Sequence, residues 1–300
     1  MGIFRNSLPQ SAVHLQTNSW IYMKKFLIPF TCLFILAACN SNSPDSSVTA
    51  TPEAAPPIIG FTVVNTYPHD TGFYTEGLEF HDGQLFESSG AGSAESEGAK
   101  LPYPSAFGIV NLKTGKVDKK VTLDNAVYFG EGITILNGKI YQLTWQNHKG
   151  YIYDAKTFKK LQEFTYPGEG WSLTHDSTYL IMSDGSSNLQ FIDPATLTTT
   201  FKARNIVGVT DNNGPVSNVN ELEFIDGFIY ANQYTTNYIL KIDPSNGKVV
   251  GKLDLSSLDA EAKKKYSNAE VLNGIAYNPA TKSLYVTGKL WPTIYEIKFN

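Results

Sequence analysis

From Ile58 to Asn300 the apolar residues occur in short alternating runs separated by turn residues, a pattern typical of β-strands. The β-branched run at 61–64 is the first strong strand signal. An apolar period of 3.6 residues is almost absent, and the best helix candidate is the short segment 256–266. Tight hairpins are indicated by three dipeptides, Asp82-Gly83, Asn137-Gly138 and Asp226-Gly227. The pattern therefore predicts antiparallel strands with very little helix.

One short sequence motif, here called the phrase, recurs five times. It consists of a glycine or acidic turn followed by an apolar pair, and each copy leads into a strand. Its five copies contain Glu76, Glu131, Glu169, Glu221 and Gly274. The intervals between these positions are 55, 38, 52 and 53 residues, within the range of β-propeller blades. Because the phrase falls at one place in each unit, its carboxylates and amides should converge on one region of space.

Five phrases over about 240 residues leave about 48 residues per unit, the size of a four-stranded blade. We therefore predict an all-β fold, a five-bladed β-propeller of four-stranded antiparallel blades. The last blade is expected to close by pairing of residues 294–299 with residues 61–67, which leaves no exposed sheet edge. A two-sheet sandwich is the alternative, but a fixed period near 50 residues argues against it.

The segment before the predicted propeller has the pattern of an export signal. Lys24 and Lys25 precede a 13-residue apolar run, 26–38, which is too short to span a bilayer as a mature helix. The run ends in Leu-Ala-Ala before Cys39 and resembles a bacterial lipobox, in which cleavage leaves a lipid on that cysteine. An ordinary secretory signal or a buried helix is the alternative. Residues 1–38 are thus expected to be a pre-sequence and signal peptide, with Met23 as the true start.

Residues 39–57 are rich in Ser, Thr, Ala and Pro and predict a flexible tether between the lipid and the propeller domain, 58–300. The expected product is an exported, membrane-anchored bacterial lipoprotein, monomeric and facing the periplasm or the cell exterior. The two cysteines of the chain, Cys32 and Cys39, lie outside that domain. A disulfide, a thiol nucleophile and a zinc–thiolate site are therefore excluded within it.

The charge balance also excludes a class of partner. Three of the 24 basic residues and none of the 28 acidic residues precede Cys39, so the remainder has 21 basic and 28 acidic residues and a net charge of −7. A chain of this charge without a basic run is a poor candidate for nucleic-acid binding.

The phrases bring aromatic residues and carboxylates together. Trp145, Trp171 and Trp291 lie in or beside them. A tryptophan near a propeller axis is usually a packing residue, but the neighbouring carboxylates favour a pocket with aromatic walls. Burial in such a pocket raises the pKa of a glutamate towards neutrality, as general acid–base catalysis requires. Glu131 is the best candidate, because Phe129 and two glycines flank it and the glycines would let a substrate backbone approach.

The other glutamates of the phrases have a structural alternative. We expect several of Glu79, Glu169, Glu221 and Glu223 to accept hydrogen bonds from backbone amides of the next blade. Glu221 and Glu223 leave a second role open, as ligands of a cation on the propeller axis. The five histidines contain no His-x-x-x-His pair, so no zinc site is predicted.

Taken together, the phrases resemble the plant-type glutaminyl-peptide cyclotransferases. The resemblance covers residues 61–300 in order and is carried by eight segments, 74–79, 129–134, 142–145, 169–171, 183–186, 220–223, 272–276 and 287–292. It implies a five-bladed propeller that converts the N-terminal glutamine of peptides or proteins into pyroglutamate with release of ammonia. This acyltransferase chemistry requires no cofactor, and the resemblance leaves room for a structural calcium ion on the axis.

By this resemblance Glu131 matches the family's catalytic glutamate, with the role of a proton shuttle. Four further residues match substrate-binding positions of the family, namely Trp145, Trp171, Asn220 and Lys289. The implied chemistry is attack of the substrate's own α-amine on its γ-amide carbon.

Three predicted substrate-binding residues depart from the family pattern. Tyr74, Glu76 and Tyr234 stand where phenylalanine, glutamine and tryptophan are usual. The tyrosines preserve aromatic walls, whereas Glu76 adds a charge that would attract the substrate's ammonium or perturb Glu131. The loop 90–105 is roughly ten residues longer than usual and is expected to overhang the pocket.

Two other functions stay compatible with the residues. One is a non-catalytic, lipid-tethered propeller that binds peptides or glycans in the same aromatic pocket. The other is a metal-dependent hydrolase such as a lactonase, which needs an axial cation held by several carboxylates.

Overall fold

The structure, a computed structural model, describes residues 53–91 and 103–300. The predicted signal peptide, the lipidation of Cys39, most of the tether and the central part of the loop 90–105 lie outside the described residues.

Among these residues, five four-stranded antiparallel sheets are arranged as the five blades of a β-propeller, which confirms the predicted fold. Blade 1 consists of β2 (Tyr74–His81), β3 (Gln84–Gly90), β4 (Ala106–Val110) and β5 (Val117–Thr122). Blade 2 consists of β6 (Gly130–Leu136), β7 (Lys139–Thr144), β8 (Lys149–Asp154) and β9 (Lys160–Thr165). Blade 3 consists of β10 (Ser172–His175), β11 (Leu180–Ser183), β12 (Asn188–Ile192) and β13 (Asn205–Gly208).

Blade 4 is built from four consecutive strands, whereas blade 5 takes its outer strand from the start of the domain. Blade 4 consists of β16 (Val219–Ile225), β17 (Phe228–Gln233), β18 (Tyr238–Ile242) and β19 (Val249–Asp254). Blade 5 consists of β20 (Leu272–Asn278), β21 (Ser283–Gly288), β22 (Thr293–Phe299) and, at its outer edge, β1 (Phe61–Pro68). Phe61 pairs with Phe299 and Tyr67 with Ile294. The predicted closure between the two ends of the domain is thus confirmed, and it joins blade 5 to the start of blade 1.

The hairpin turns follow from their residues. Asp82, Asn137 and Asp226 have φ values of 48°, 53° and 48°, and the glycine after each also has a positive φ. Two consecutive positive φ values define the type I′ turn, which glycine and Asp or Asn adopt at low cost. These turns join the first and second strands of blades 1, 2 and 4, as the sequence predicts.

Few elements lie outside the blades. The helix α1 (Ser256–Lys265) connects blades 4 and 5 at the place where the sequence predicts it. A 3-10 turn (Pro194–Thr196) lies between β12 and β13, and the hairpin of β14 (Thr210–Asp211) and β15 (Gly214–Pro215) joins blades 3 and 4. In the described part of the chain no helix is both long and apolar enough to cross a bilayer.

The hydrophobic core is divided into clusters between neighbouring blades. Phe86 and Phe107 of blade 1 pack with Ile133 and Ile140 of blade 2, for example. The same arrangement recurs between each following pair of blades, and the cluster between blades 4 and 5 also takes in α1. Burial of apolar side chains between faces stabilises each blade only in the presence of its neighbours. The inner strands, whose ends form the candidate site, are consequently held from both sides.

Candidate active site

The repeated phrase forms a β-bulge in the innermost strand of four blades. The register shifts between Thr75 and Gly77, between Gly130 and Ile133, between Val219 and Leu222, and between Leu272 and Ile275. A bulge leaves its extra residue unpaired and redirects its side chain. The residues redirected in this way include Glu76, Glu131, Asn220 and Asn273. The sequence repeat thus corresponds to one structural feature, a β-bulge, which occurs once in the innermost strand of each of these four blades.

A cavity of about 540 Å³ lies where these bulges meet. It is lined by Tyr74, Glu76, Asn125, Ala126, Val127, Tyr128, Phe129, Glu131, Trp145, Gln146, Asn147, Trp171, Asn220, Tyr234 and Lys289. Every predicted catalytic or substrate-binding residue of the domain is in this set. The size and the aromatic lining suit a small side chain or a chain terminus.

Two carboxyl groups and one ammonium group form the polar centre of the cavity. Lys289 Nζ donates to Glu76 Oε1, and the carboxyl groups of Glu76 and Glu131 are joined by a hydrogen bond. Burial and the charge of Glu76 raise the pKa of Glu131 well above its ordinary value, while Lys289 opposes the shift. Burial also raises the pKa of Glu76, but its direct contact with Lys289 opposes this. Of the two carboxyl groups, Glu131 therefore has the more strongly raised pKa.

Aromatic rings enclose this centre and hold the lysine. The Lys289 ammonium lies 4.5 Å from the Tyr74 ring centroid and 5.5 Å from that of Tyr234, within the range of cation–π contacts. Tyr234 meets Trp171 edge to face at 5.5 Å. On the other side, Phe129 meets Tyr74 at 6.3 Å and also packs edge-on against Trp145. The two tyrosines thus preserve the aromatic walls, as predicted.

Asn220 supplies an unused polar atom. Asn220 is buried, and its side-chain oxygen Oδ1 has no hydrogen-bond partner within the described residues. A buried acceptor without a partner is costly, so such an atom in a cavity wall is well suited to accept a hydrogen bond from a ligand.

Comparisons with known proteins show the family to which the chain belongs. The glutamine cyclotransferase family model matches residues 32–299. The chain is 35% identical over 302 aligned residues to an Arabidopsis thaliana protein named glutaminyl-peptide cyclotransferase, covering 98% of this chain and 90% of the relative. The chain belongs to the glutamine cyclotransferase family. The crystal structure of Myxococcus xanthus glutaminyl cyclase superposes with a TM-score of 0.71 at 32% identity, covering 82% of this chain and 98% of that one.

Within this member of the glutamine cyclotransferase family, the structural role predicted for the axial glutamates holds for three of four. Glu79 accepts from Ile135 N at 3.0 and 3.1 Å, and Glu223 accepts from Tyr277 N at 2.8 Å. Glu221 accepts from Leu78 N and Ile275 N and so links blade 4 to blades 1 and 5. The expectation was for several of the four, and Glu169 is the exception, because it bonds to side chains of the pocket wall.

The expectation that the two glycines beside Glu131 let a substrate backbone approach is wrong. A Cβ on Gly132 would lie 2.5 Å from Ser172 Cα, and one on Gly130 would lie 3.0 Å from Ser105 Oγ. Neither glycine lines the cavity. They allow close approach of neighbouring strands, not of a substrate.

The sequence did not indicate the segment 125–128, Gln146 or Asn147, although all line the cavity. These residues lie in connections between strands, and no strand or turn pattern marks them. They are fixed by local bonds, since Asn147 Nδ2 donates to Val127 O at 2.8 Å. Trp291, in contrast, is fully buried in the core and donates to Glu270 O, so it is a packing residue.

No group of three or more His, Cys, Asp or Glu side chains that could hold a metal ion occurs in residues 53–91 and 103–300. Both oxygens of Glu221 already accept backbone N–H groups.

Proposed function

We propose that this protein is a glutaminyl-peptide cyclotransferase, which converts the N-terminal glutamine of peptides or proteins to pyroglutamate and releases ammonia. The observation that carries the proposal is the buried Glu76–Glu131 pair beside Lys289, enclosed by aromatic rings in a cavity of about 540 Å³. A glutamine side chain fits this cavity, and its amide needs the proton donor and acceptor that the pair provides.

The first step is binding of the substrate terminus. Trp145 and Trp171 would contact the two methylene groups and exclude water. Asn220 Oδ1, the acceptor without a partner, would take a hydrogen bond from the γ-amide N–H. Folding the side chain back places the α-amine beside the γ-carbonyl carbon, and intramolecular attack of this kind reaches effective molarities of about 10⁵ M or more.

The second step is proton transfer through Glu131. The α-amine has a pKa of about 7.7–8.0 and is largely protonated near neutrality, so it must lose a proton to become a nucleophile. The ammonium proton leaves to solvent, and Glu131 in its carboxylate form accepts a second proton from the α-nitrogen as the N–C bond forms. It then gives the proton to the amide nitrogen as the C–N bond breaks and ammonia leaves. Lys289 would stabilise the charge that develops on the carbonyl oxygen.

The test is incubation of the purified protein with a Gln-initiated peptide, read by mass spectrometry for the loss of one ammonia. Two control peptides are matched to the mechanism: an Nα-acetylated copy, whose amine cannot attack, and an Asn-initiated copy, whose side chain is one methylene shorter. Ammonia loss from the Gln peptide alone supports the proposal. Binding of that peptide without ammonia loss would favour the non-catalytic alternative.

We also propose the cellular form predicted by the N-terminal sequence, a monomeric bacterial lipoprotein anchored through Cys39. Its support is the charged and apolar pattern that ends at the cysteine. Metabolic labelling with a fatty acid, compared between the natural chain and Cys39→Ser, tests it. Label that persists in the variant would contradict it.

We also propose that a structural calcium ion binds on the propeller axis. Calcium should raise the Tm of the purified protein and a chelator should lower it, without a change in kcat. A Tm that is equal under both conditions would remove calcium from the proposal.

A further inference from the structure

Glu169 lies in the connection between β9 and β10, and its carboxylate receives three hydrogen bonds from side chains. Oε2 accepts from the indole Nε1 of Trp145 at 2.7 Å and from that of Trp171 at 2.8 Å. Oε1 accepts from Gln146 Nε2 at 2.8 Å. One carboxylate oxygen therefore joins both indole walls of the cavity.

This arrangement fixes the angle of each ring relative to the other. An indole has a single N–H donor, so the acceptor it chooses sets the orientation of its ring. Hydrogen bonds to a carboxylate are about twice as strong as those between neutral groups. Partial burial raises the pKa of Glu169, but the bonds from Gln146, Trp171 and Trp145 outweigh it and hold that pKa below its ordinary value. The group is thus ionised at neutral pH.

Trp145 depends on this bond more than Trp171 does. The Trp171 ring lies against Gly185, where a Cβ would come within 2.4 Å of Cζ2, and against Tyr234. Trp145 is 38% exposed and has one aromatic neighbour, Phe129, at 5.7 Å. Packing alone therefore constrains its ring weakly.

We propose that Glu169 is a positioning residue of the site, which holds the indoles of Trp145 and Trp171 in the orientation that grips an N-terminal glutamine. The proposal rests on the proposed function for its substrate but not for its geometry. Glu169 acts on the substrate through the two indoles, and it neither gives nor accepts the proton that is transferred in the reaction.

The first experiment observes the indoles directly in the full chain. In ¹⁵N-indole NMR spectra, Glu169→Ala should shift the Nε1–H resonances of Trp145 and Trp171 together. The Nε1–H of Trp291 bonds to the carbonyl of Glu270 at 2.9 Å and should not move, which gives an internal control for folding. Unmoved Trp145 and Trp171 resonances would overturn the proposal.

If Glu169→Ala does not fold, hydrogen exchange in the natural protein decides the question. The Trp145 indole N–H should exchange slowly in spite of its exposure, because it is bonded to a carboxylate. Exchange as fast as that of a free indole would also overturn the proposal.

The second experiment measures kinetics on the Gln-initiated peptide. Glu169→Ala should raise KM about tenfold or more and leave kcat within about threefold, because the indoles bind ground state and transition state alike. Glu169→Gln keeps an oxygen acceptor for the indoles and should restore KM to within about threefold. Glu163→Gln, which neutralises an exposed carboxylate of blade 2, should behave as the natural protein.

Different results would contradict the proposed function and the positioning role of Glu169. A natural protein that releases no ammonia overturns the proposed function, whereas the indole resonances still decide the geometry. A Glu169→Ala variant that is folded, has shifted indoles and keeps its KM within about twofold would overturn the role of Glu169 in gripping the substrate.

Discussion

Glu76 and Glu131 occupy equivalent β-bulges of blades 1 and 2 and meet as a hydrogen-bonded carboxyl pair. Because Lys289 contacts Glu76 and not the other member, the pair is asymmetric. Glu76 is the partner in contact with the ammonium, and Glu131 is the partner whose pKa is raised further. The resemblance implies a neutral glutamine at the position of Glu76 in the family pattern, and by that comparison this chain has one more carboxyl group beside its proposed proton shuttle.

That extra carboxyl group should set the pH dependence of the reaction. The groups that act on Glu131 are Glu76, Glu169 and Lys289, and Glu76 is the strongest of the charges that raise its pKa. Glu76→Gln removes this charge, so the pKa of Glu131 falls and its carboxylate form persists to lower pH. The acid limb of the kcat/KM profile should then move to lower pH. Glu163→Gln is the control, and an acid limb that stays in place or rises would contradict the assignment.

Lys289 should have the opposite effect on the same profile. Its ammonium lowers the pKa of both carboxyl groups. Lys289→Met keeps most of the side-chain volume but removes the charge, so the acid limb should move to higher pH. Loss of a donor to the carbonyl oxygen should also lower kcat by about 10²–10³-fold. A variant with the natural acid limb would show that Lys289 does not act on the pair.

The proton-transfer role of Glu131 is tested by an isosteric change. Glu131→Gln retains the shape of the side chain but cannot shuttle a proton, so kcat for ammonia release should fall by about 10²–10⁴-fold. Glu79→Gln is a matched control, because Glu79 is also buried on an inner strand but bonds to the backbone of Ile135. A Glu131→Gln variant with the natural kcat would contradict the mechanism.

The repeat and the turn dipeptides were sufficient to predict the blades, because both are local in sequence. Closure by β1 could also be predicted, since an open ring would expose a strand edge. The contact between Glu76 and Lys289 joins residues 213 apart, and no local pattern indicates it. Only the resemblance placed both residues in one pocket.

Two features could not be predicted from the sequence, the direction of the Glu169 side chain and the role of Gly132. Glu169 stands in the same phrase as Glu221, yet its phrase precedes β10 instead of forming a bulge within it, so its carboxylate turns to the pocket wall. The sequence predicts that Gly132 lets a substrate backbone approach, but the close approach of Ser172 is what requires this glycine. Both depend on the distance between neighbouring blades, which a single sequence does not encode locally.

The buried glutamates of the axis should make stability depend on pH. Burial raises the pKa of Glu79 from 4.5 to about 8, although the bond from Ile135 N opposes the shift. The nearest ion-pair partner is His175, at 3.9 Å, but burial lowers the pKa of that imidazole, which weakens the ion pair. A raised folded-state pKa means that the stabilisation is complete below pH 4.5 and is lost as pH rises through about 8.

The free energy of unfolding should therefore fall between pH 5 and pH 8, by up to about 1.4 kcal/mol per pH unit for one such group. Glu79→Gln stays neutral and keeps an acceptor for Ile135 N, so its loss over the same range should be smaller than that of the natural protein. Glu221 and Glu223 also have raised pKa values through burial and should leave part of the slope in place. Denaturant unfolding at both pH values measures the difference. Equal slopes for the natural protein and Glu79→Gln would mean that Glu79 is already ionised in the folded state.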